Sequence, residues 1–473
     1  MLFPTIRFAI FFMGTWTSFV ATRDHPRARR VVLLGASWFF YASWDWRFLA
    51  LLWWMILTNH VAARIVAATS TPASRRRALA AGVAMHLGLL GYFKYYGFFT
   101  ESLVDLFARL DMAVSVPLVQ VVLPLGISFL TFQSISYLVE VKRGVVDPVP
   151  LLDEAVWLSF FPTVVSGPIT RVSELVPQLD VVPVCTDHSG ATLLILRGLF
   201  KKVVVASFLA ATIVEDAFAT PTQFSGPELL FALYAFGALV YVDFSGYTDM
   251  ARGLASLLGF HLPENFDAPY RASTVQEFWT RWHMTLTRWL RDFLFTPLGL
   301  RFGRRRHMTL AIPIIVMLIA GLWHGAAWTF VAFGGIHGLA LAVERWQRER
   351  RRRLGLGRPP HSTWRRIGRY VVTLHVITLG WLFFRAESFG SAWTILDRIA
   401  TAPGGVDAVS LLAFLTVVAV FAVQFLPAAW TNDLRDTAIH LGPVPQVIGA
   451  AFALSAIDIL GPPGVSPFIY FQF

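Results

Sequence analysis

Arg304-Arg305-Arg306-His307 opens onto a run from Met308 to Trp323 that holds no charged residue and closes in Gly321-Leu322-Trp323-His324-Gly325. A second apolar run, Ala326 to Val343, carries Gly334-Gly335-Ile336-His337-Gly338 and gives way to the charged stretch Glu344 to Arg353. Spanning a bilayer as a helix takes about 20 apolar residues. Short basic clusters between such runs mark cytoplasmic loops. The pair therefore reads as a membrane hairpin with both basic flanks on the cytoplasmic side and His324 at the turn or kink between them. A charged side chain near mid-bilayer costs about 2.5–3.5 kcal/mol on insertion scales. Burial is thus expected to hold His324 neutral, the form that can accept a proton.

The rest of the chain follows the same pattern. Of its 473 residues 56% are hydrophobic and 15% aromatic, with mean hydropathy +0.58. Only 15% are charged, against about a quarter in soluble domains. Lipid obliges each spanning segment to satisfy its own backbone hydrogen bonds. The expectation is an all-α, polytopic integral membrane protein of about 11–13 membrane helices, several of them short, with re-entrant or interfacial helices around a central cavity or tunnel. It reads as one domain over 1–473, with a motif-bearing core at about 85–345 and C-terminal helices at about 368–473. The net charge of +11 lies in short clusters between apolar runs, a membrane-topology pattern rather than a nucleic-acid surface. A single cysteine, Cys185, excludes an intrachain disulfide and reads as a bystander thiol rather than an acyl carrier.

Taken in order, Leu2 to Val20 reads as a retained first helix, since no basic region precedes it. Arg23 to Arg30 then places the N-terminus outside. Val31–Trp44 and Phe48–Ala67 form a hairpin turning at Asp45, and Lys94, set among aromatics in Gly91–Tyr96, reads as an interfacial anchor. Glu101–Asp111 and Glu215–Glu228 read as outer connections. Leu123–Tyr137 is apolar but crowded with Gln133, Ser134 and other hydroxyls, which either bond to a neighbouring helix or line a polar passage. Phe160 to Arg171 breaks its own helix with Pro162, Gly167 and Pro168, so it is expected inside protein or beside a wet cavity. In Tyr241–Met250, Asp243 and Asp249 end an apolar run with Ser245 between them; pairing with nearby arginines is the favoured reading, a tunnel wall the alternative.

Thr274 and Glu277 have capping-box spacing. They predict a helix from Val275 to about Phe295 that stops before Pro297. Phe278, Trp282, Leu286, Trp289 and Phe293 would form its apolar stripe, with Arg281 off it and His283 at its edge one turn after Trp279. His283 is either a structural tie or a shaper of the site. His337 is read first as a helix–helix hydrogen-bonding group. Neither the 41-residue nor the 13-residue histidine spacing matches a zinc signature, and no Gly-x-Ser-x-Gly elbow occurs.

Asp243-Phe244-Ser245-Gly246-Tyr247-Thr248-Asp249-Met250-Ala251, Leu258-Gly259-Phe260, Glu264-Asn265-Phe266 and Glu277 through Asp292 together resemble the membrane-bound O-acyltransferase family, in its bacterial alginate O-acetyltransferase-like branch. The likeness extends through Gly167-Pro168, Gly198–Lys202 and Gly380–Ala386 to the ending Phe468–Phe473. Two departures are Ser207, where the branch carries an acidic residue, and the unusually basic Arg301–Arg306.

The resemblance implies His324 as catalytic histidine, with His283 orienting the reactants or stabilising an oxyanion. Trp323, Trp279, Trp282, Arg281, Asp243, Ser245, Asp249, Gln133, Ser134 and His337 would line substrate or tunnel. It further implies an acetyltransferase of the bacterial inner membrane, working in exopolysaccharide modification such as alginate biosynthesis. No cofactor is expected to be bound. An acyl thioester, acetyl-CoA or an acyl carrier, would be the donor, and a periplasmic acyltransferase and the polysaccharide export machinery would be partners. Other envelope acceptors (peptidoglycan, cellulose, teichoic acid) form the alternative. A transporter or flippase, from a different class, would show symmetry between halves, which this sequence does not.

Overall fold

The computed structural model describes residues 1–112, 121–182, 184–303, 305–357, 362–427, 429–430, 436–437 and 440–461. Arg304, Pro359, Pro360 and the ending Phe468–Phe473 lie outside the described residues. Within them the regular elements are helices. Five are long and apolar enough to cross a membrane: Arg47–Ala68, Gly226–Leu257, His307–His324, Thr363–Arg385 and Pro443–Leu460. Ile6–Ala21 and Leu411–Phe425 are shorter apolar helices. The chain groups into two compact units, 1–191 with 251–263, and 192–250 with 264–473.

The first unit holds α1 (Ile6–Ala21), α2 (Pro26–Ala42), α3 (Arg47–Ala68), α4 (Pro72–Leu90), α5 (Tyr96–Arg109), α6 (Ile127–Arg143), α7 (Leu151–Ser159) and α8 (Val172–Asp180). Asp45 makes the α2–α3 turn by accepting from the Arg47 amide at 3.0 Å and from its guanidinium at 2.6 Å. A π-helical stretch, Gly91–Tyr95, joins α4 to α5, and Lys94 in it donates to Ser128 of α6 at 3.4 Å. The lysine thus serves α6 as well as standing among aromatics.

α6 starts at Gly126, whose φ of +71° favours glycine and whose missing Cβ would lie 2.1 Å from the Val164 carbonyl oxygen. That contact seats the irregular segment 160–171, which is buried throughout apart from Arg171. Its backbone is satisfied by side chains: Phe161 N donates to Ser37 at 3.1 Å, while Gln133 and Trp157 donate to the Thr170 carbonyl at 3.3 and 3.2 Å. Gln133 is therefore a helix-to-loop tie, and Ser134 beside it is fully buried. A second tie was not foreseen from sequence. Buried Glu154 accepts from Asn59 and pairs with His60, both at 2.8 Å, and Asn59 Oδ1 meets His86 Nε2 at 3.1 Å, joining α3, α4 and α7.

The second unit carries the part of α9 (His188–Leu199) from Thr192 onward, a π-helical Phe200–Ala206, α10 (Ser207–Leu209), a π-helical Ala210–Val214, α11 (Glu215–Ala219) and α12 (Gly226–Leu257) as far as Met250. After the loop from Glu264 come α13 (Val275–Arg281), α14 (Met284–Leu290), a π-helical Arg291–Phe295, α15 (Thr296–Phe302), α16 (Arg306–His324) and α17 (Trp328–Arg353). The last are α18 (Thr363–Arg385), α19 (Phe389–Thr401), α20 (Leu411–Ala422) and α21 (Pro443–Leu460).

The α16–α17 hairpin is packed backbone to backbone. A Cβ on Gly321 would fall 2.2 Å from Phe330 O, on Gly334 2.2 Å from Met317 O, and on Gly338 2.8 Å from Ile314 Cα. Small residues allow such an approach, and close packing is what holds helices together where lipid supplies no hydrophobic drive. α9 and α12 cross in the same way. Gly198 faces the Gly246 carbonyl, where an added Cβ would sit 2.5 Å away.

That crossing decides the fate of the intramembrane carboxylates. Asp249 accepts from Arg197 at 2.9 and 2.7 Å and from Lys201 at 2.8 Å, and Asp243 pairs with Lys202 at 2.5 Å. Lys201 also donates to Ser245 at 3.2 Å. Pairing is the outcome, but two of the three cations are lysines of the π-helical Phe200–Ala206 stretch rather than arginines.

The predicted helix from Val275 to about Phe295 is interrupted. Trp282 leaves α13 extended, His283 adopts φ +41°, and α14 starts at Met284. The break is imposed from outside the segment, because the loop at 265–267 takes over the backbone groups. Met284 N donates to Asn265 O at 2.9 Å, and Asp267 N donates to Arg281 O at 3.0 Å. Nor does the segment stop before Pro297, which lies near the start of α15 where the π-helical Arg291–Phe295 passes directly into it.

Candidate active site

Each part of the site is set by a local cause. α13 is capped by Thr274, whose hydroxyl accepts from Glu277 N at 2.9 Å, while Glu277 reaches back to Ser273 N at 2.9 Å. Burial would raise the Glu277 carboxyl, but the Ser273 amide and hydroxyl and the Arg281 guanidinium hold it below the ordinary carboxylate range. Glu344 of α17 adds a second cap, accepting from Val275 N at 2.7 Å and Gln276 N at 3.2 Å. A carboxylate over a helix N-terminus is favourable, so α13 is fastened to α17. Arg281 holds the other end through Asp267 at 2.6 Å and Glu277 at 3.2 Å.

His283 is fully buried at the break. Asn265 Oδ1 accepts from Thr285 N at 3.2 Å and Thr285 Oγ1 at 2.7 Å, and faces His283 Nδ1 at 3.2 Å. An amide oxygen can only accept. Nδ1 therefore carries the proton, and Nε2, which has no hydrogen-bond partner among the described residues, presents a lone pair. As placed it can hold a donor such as a hydroxyl; it is not set to donate to an oxyanion. A non-glycine residue at positive φ is uncommon and costs of order 1–3 kcal/mol. His283→Asn keeps an αL-tolerant residue with an amide donor, so it should lose about 1 kcal/mol less stability than His283→Ala, read as thermal midpoints in detergent.

His324 ends α16 and is 4% exposed. Gly325 follows, where a Cβ would lie 2.0 Å from the Phe330 ring, so the turn can close only over glycine. The imidazole sits 4.8 Å from the Trp323 ring, 5.4 Å from Phe384 and 5.8 Å from Phe333. His283 lies 6.0 Å from that same Trp323. The two histidines thus flank one indole among packed aromatic rings.

His337 accepts at Nδ1 from Trp279 Nε1 at 3.3 Å, and its ring is 4.8 Å from Phe333. The helix–helix role expected for it holds. Its Nε2 faces Gly380 of α18, where a Cβ would be only 2.4 Å away. Trp282 packs at 5.0 Å on Trp381 and stacks at 5.4 Å on Phe278, which itself lies against His337. Arg281, Asp243, Ser245 and Asp249 are held by the ion pairs and hydrogen bonds given above, and Gln133 and Ser134 belong to the first unit.

A cavity of about 470 Å³ opens between α13, α14, α16 and α17. Trp279, Val316 and Met317 line its inside, and Arg291, Arg345, Arg348 and Arg352 its charged side. Arg345 bonds Glu349 at 3.3 Å, whereas Arg348 and Arg352 are exposed.

Comparison with known proteins now adds the family. Residues 134–386 match the signature of MBOAT, the membrane-bound O-acyltransferase family. A protein of Azotobacter vinelandii named "Probable alginate O-acetylase" is 35% identical, covering 94% of this chain and 95% of its own. The chain belongs to the membrane-bound O-acyltransferase family. A peptidoglycan O-acetyltransferase of Helicobacter pylori is 32% identical over 93% of this chain and 85% of its own. A teichoic acid D-alanyltransferase of Streptococcus thermophilus is 30% identical over 55% of this chain and 68% of its own. This is a multi-pass membrane acyltransferase, and the alginate O-acetylase-like resemblance noted from its motifs holds.

Several of the site's parts were missed from sequence. Asn265 and Phe384 stand in family motifs without a role of their own, Glu344 and the cavity arginines of α17 read as orientation signals, and Phe333 has no sequence reading. No spacing rule links Asn265 to a helix break 18 residues on.

Proposed function

We propose that this protein transfers an acetyl group from a thioester donor to hydroxyls of an exported, alginate-like polysaccharide, with His324 as general base. The observation that carries this is the pair of buried histidines flanking Trp323 at the tip of a glycine-packed hairpin whose other end opens into an arginine-lined cavity. Neutral His324 removes the proton of the acceptor hydroxyl. The oxygen attacks the thioester carbonyl, the carbon–sulfur bond breaks, and the imidazolium returns its proton to the departing thiolate. His283, with its Nε2 lone pair, orients the hydroxyl by accepting from a neighbouring donor. No covalent enzyme intermediate is needed.

The basic end of α17 is assigned to the cytoplasmic face of the bacterial inner membrane by the positive-inside rule, which leaves the N-terminus outside. The cavity then receives the donor, acetyl-CoA or an acyl carrier, whose phosphates suit Arg348 and Arg352. The acceptor polymer lies on the far side, with a periplasmic transferase as a partner in its modification. The Helicobacter relative supports peptidoglycan as the alternative acceptor.

The test is release of free thiol from acetyl thioester by the purified protein, dependent on added oligosaccharide. Arg348→Glu with Arg352→Glu should raise the thioester KM by about 10- to 100-fold at low salt, an effect that shrinks as salt rises. Thioester-independent ester formation, or none at all, would contradict the reading.

A further inference from the structure

The cavity does not reach His324. Its inner wall includes Trp279, and Met317 of α16 lines it seven residues before the histidine, about 10 Å along the helix axis. From the cavity, side-chain contacts lead through Trp279 to Phe333, 6.4 Å between rings, and from Phe333 to His324 at 5.8 Å. An acyl group approaching from the arginine side meets the Trp279 indole first.

That indole is not free to yield. Trp279 is 5% exposed, its N–H is committed to His337 Nδ1 at 3.3 Å, and the two rings meet edge to face at 5.2 Å. His337 is itself immobilised. It is fully buried, Phe278 stacks along it at 6.4 Å, Phe333 closes on it at 4.8 Å, and Gly380 leaves only enough room for its Nε2 edge. Moving the indole would strand a buried N–H donor, which is costly.

We propose that Trp279, latched by His337, is the residue that restricts transfer to short acyl groups. This rests on the thioester reading given above. The filter works by fixed bulk: each added methylene that must pass a rigid indole loses about 10- to 200-fold in discrimination typical of a tight apolar pocket. Trp279 acts on which donor arrives, and His337 acts only through Trp279 as a positioning residue.

The test is a competition. Purified full-length protein receives equimolar acetyl and butyryl thioesters with one oligosaccharide acceptor, and the ratio of the two esters is read by mass spectrometry. The ratio does not depend on how much protein is active. Trp279→Ala should raise butyryl over acetyl at least about 10-fold. His337→Phe, which keeps a ring but removes the acceptor for the indole N–H, should raise it less and in the same direction. If the alanine variant does not fold, Trp279→Phe reads the same ratio with the ring retained. Variants that transfer both groups more slowly at an unchanged ratio would overturn the proposal while leaving acyl transfer intact. A wild-type protein that makes no ester from either thioester would instead overturn thioester transfer, and the filter with it.

Discussion

His324→Ala should lower acyl transfer by on the order of 10²- to 10⁴-fold, the usual contribution of a positioned general base, while the protein still inserts, extracts and melts as a folded species. The imidazole packs among the aromatic rings of Trp323, Phe333 and Phe384 at the end of the hairpin's first helix. Truncation there removes ring contacts at a helix terminus and leaves the glycine-to-backbone packing of Gly321, Gly334 and Gly338 in place. His324→Gln, similar in size and polar but unable to serve as a base near neutral pH, separates chemistry from packing. It should restore stability and not rate. A glutamine variant with near-normal turnover would contradict the role.

Breaking the Lys202–Asp243 pair should have the largest effect on stability. Both groups are nearly sealed, at 3% and 6% side-chain exposure. They are brought together by the Gly198–Gly246 crossing, which admits no side chain on either helix. Asp243→Asn removes the carboxylate that pairs with a buried ammonium, and breaking a buried pair costs about 3–5 kcal/mol, a large share of the about 5–15 kcal/mol that holds a typical protein folded. Replacing both partners, Lys202→Met with Asp243→Leu, should recover most of that loss, since a buried pair exchanged for apolar groups is often neutral. Unfolding midpoints in detergent and transfer rates on the same samples decide the matter. A double variant that is stable yet inactive would move Asp243 from structure into the tunnel wall.

The same residues show what could be read beforehand. Segments governed by local rules were legible: the charge-free run Met308–Trp323 became α16, the Asp45 turn joined α2 to α3, and Thr274 capped α13. His324 and His337 fell on opposite sides of a turn, as the runs around Gly325 implied. What failed was set by partners distant in sequence. Asn265 breaks a helix whose own apolar stripe continues past His283 from Trp282 to Leu286. The lysines that meet Asp243 and Asp249 project from a π-helical stretch with no composition signal of its own. The cavity is built from arginines on α17 that a topology rule explains equally well without any ligand.

Under the proposed function an acyl group passes directly from thioester sulfur to an acceptor hydroxyl, and the fate of a labelled acetyl group follows that passage. Purified protein is given acetyl thioester labelled in the acetyl carbonyl, with and without a uronic-acid oligosaccharide, and both protein and sugar are analysed for label. Label is expected as an ester on the oligosaccharide alone, none on the protein, including Cys185, and none on either in His324→Gln. Label accumulating on the protein, or labelled thioester crossing a vesicle membrane intact with no ester formed, would contradict direct transfer.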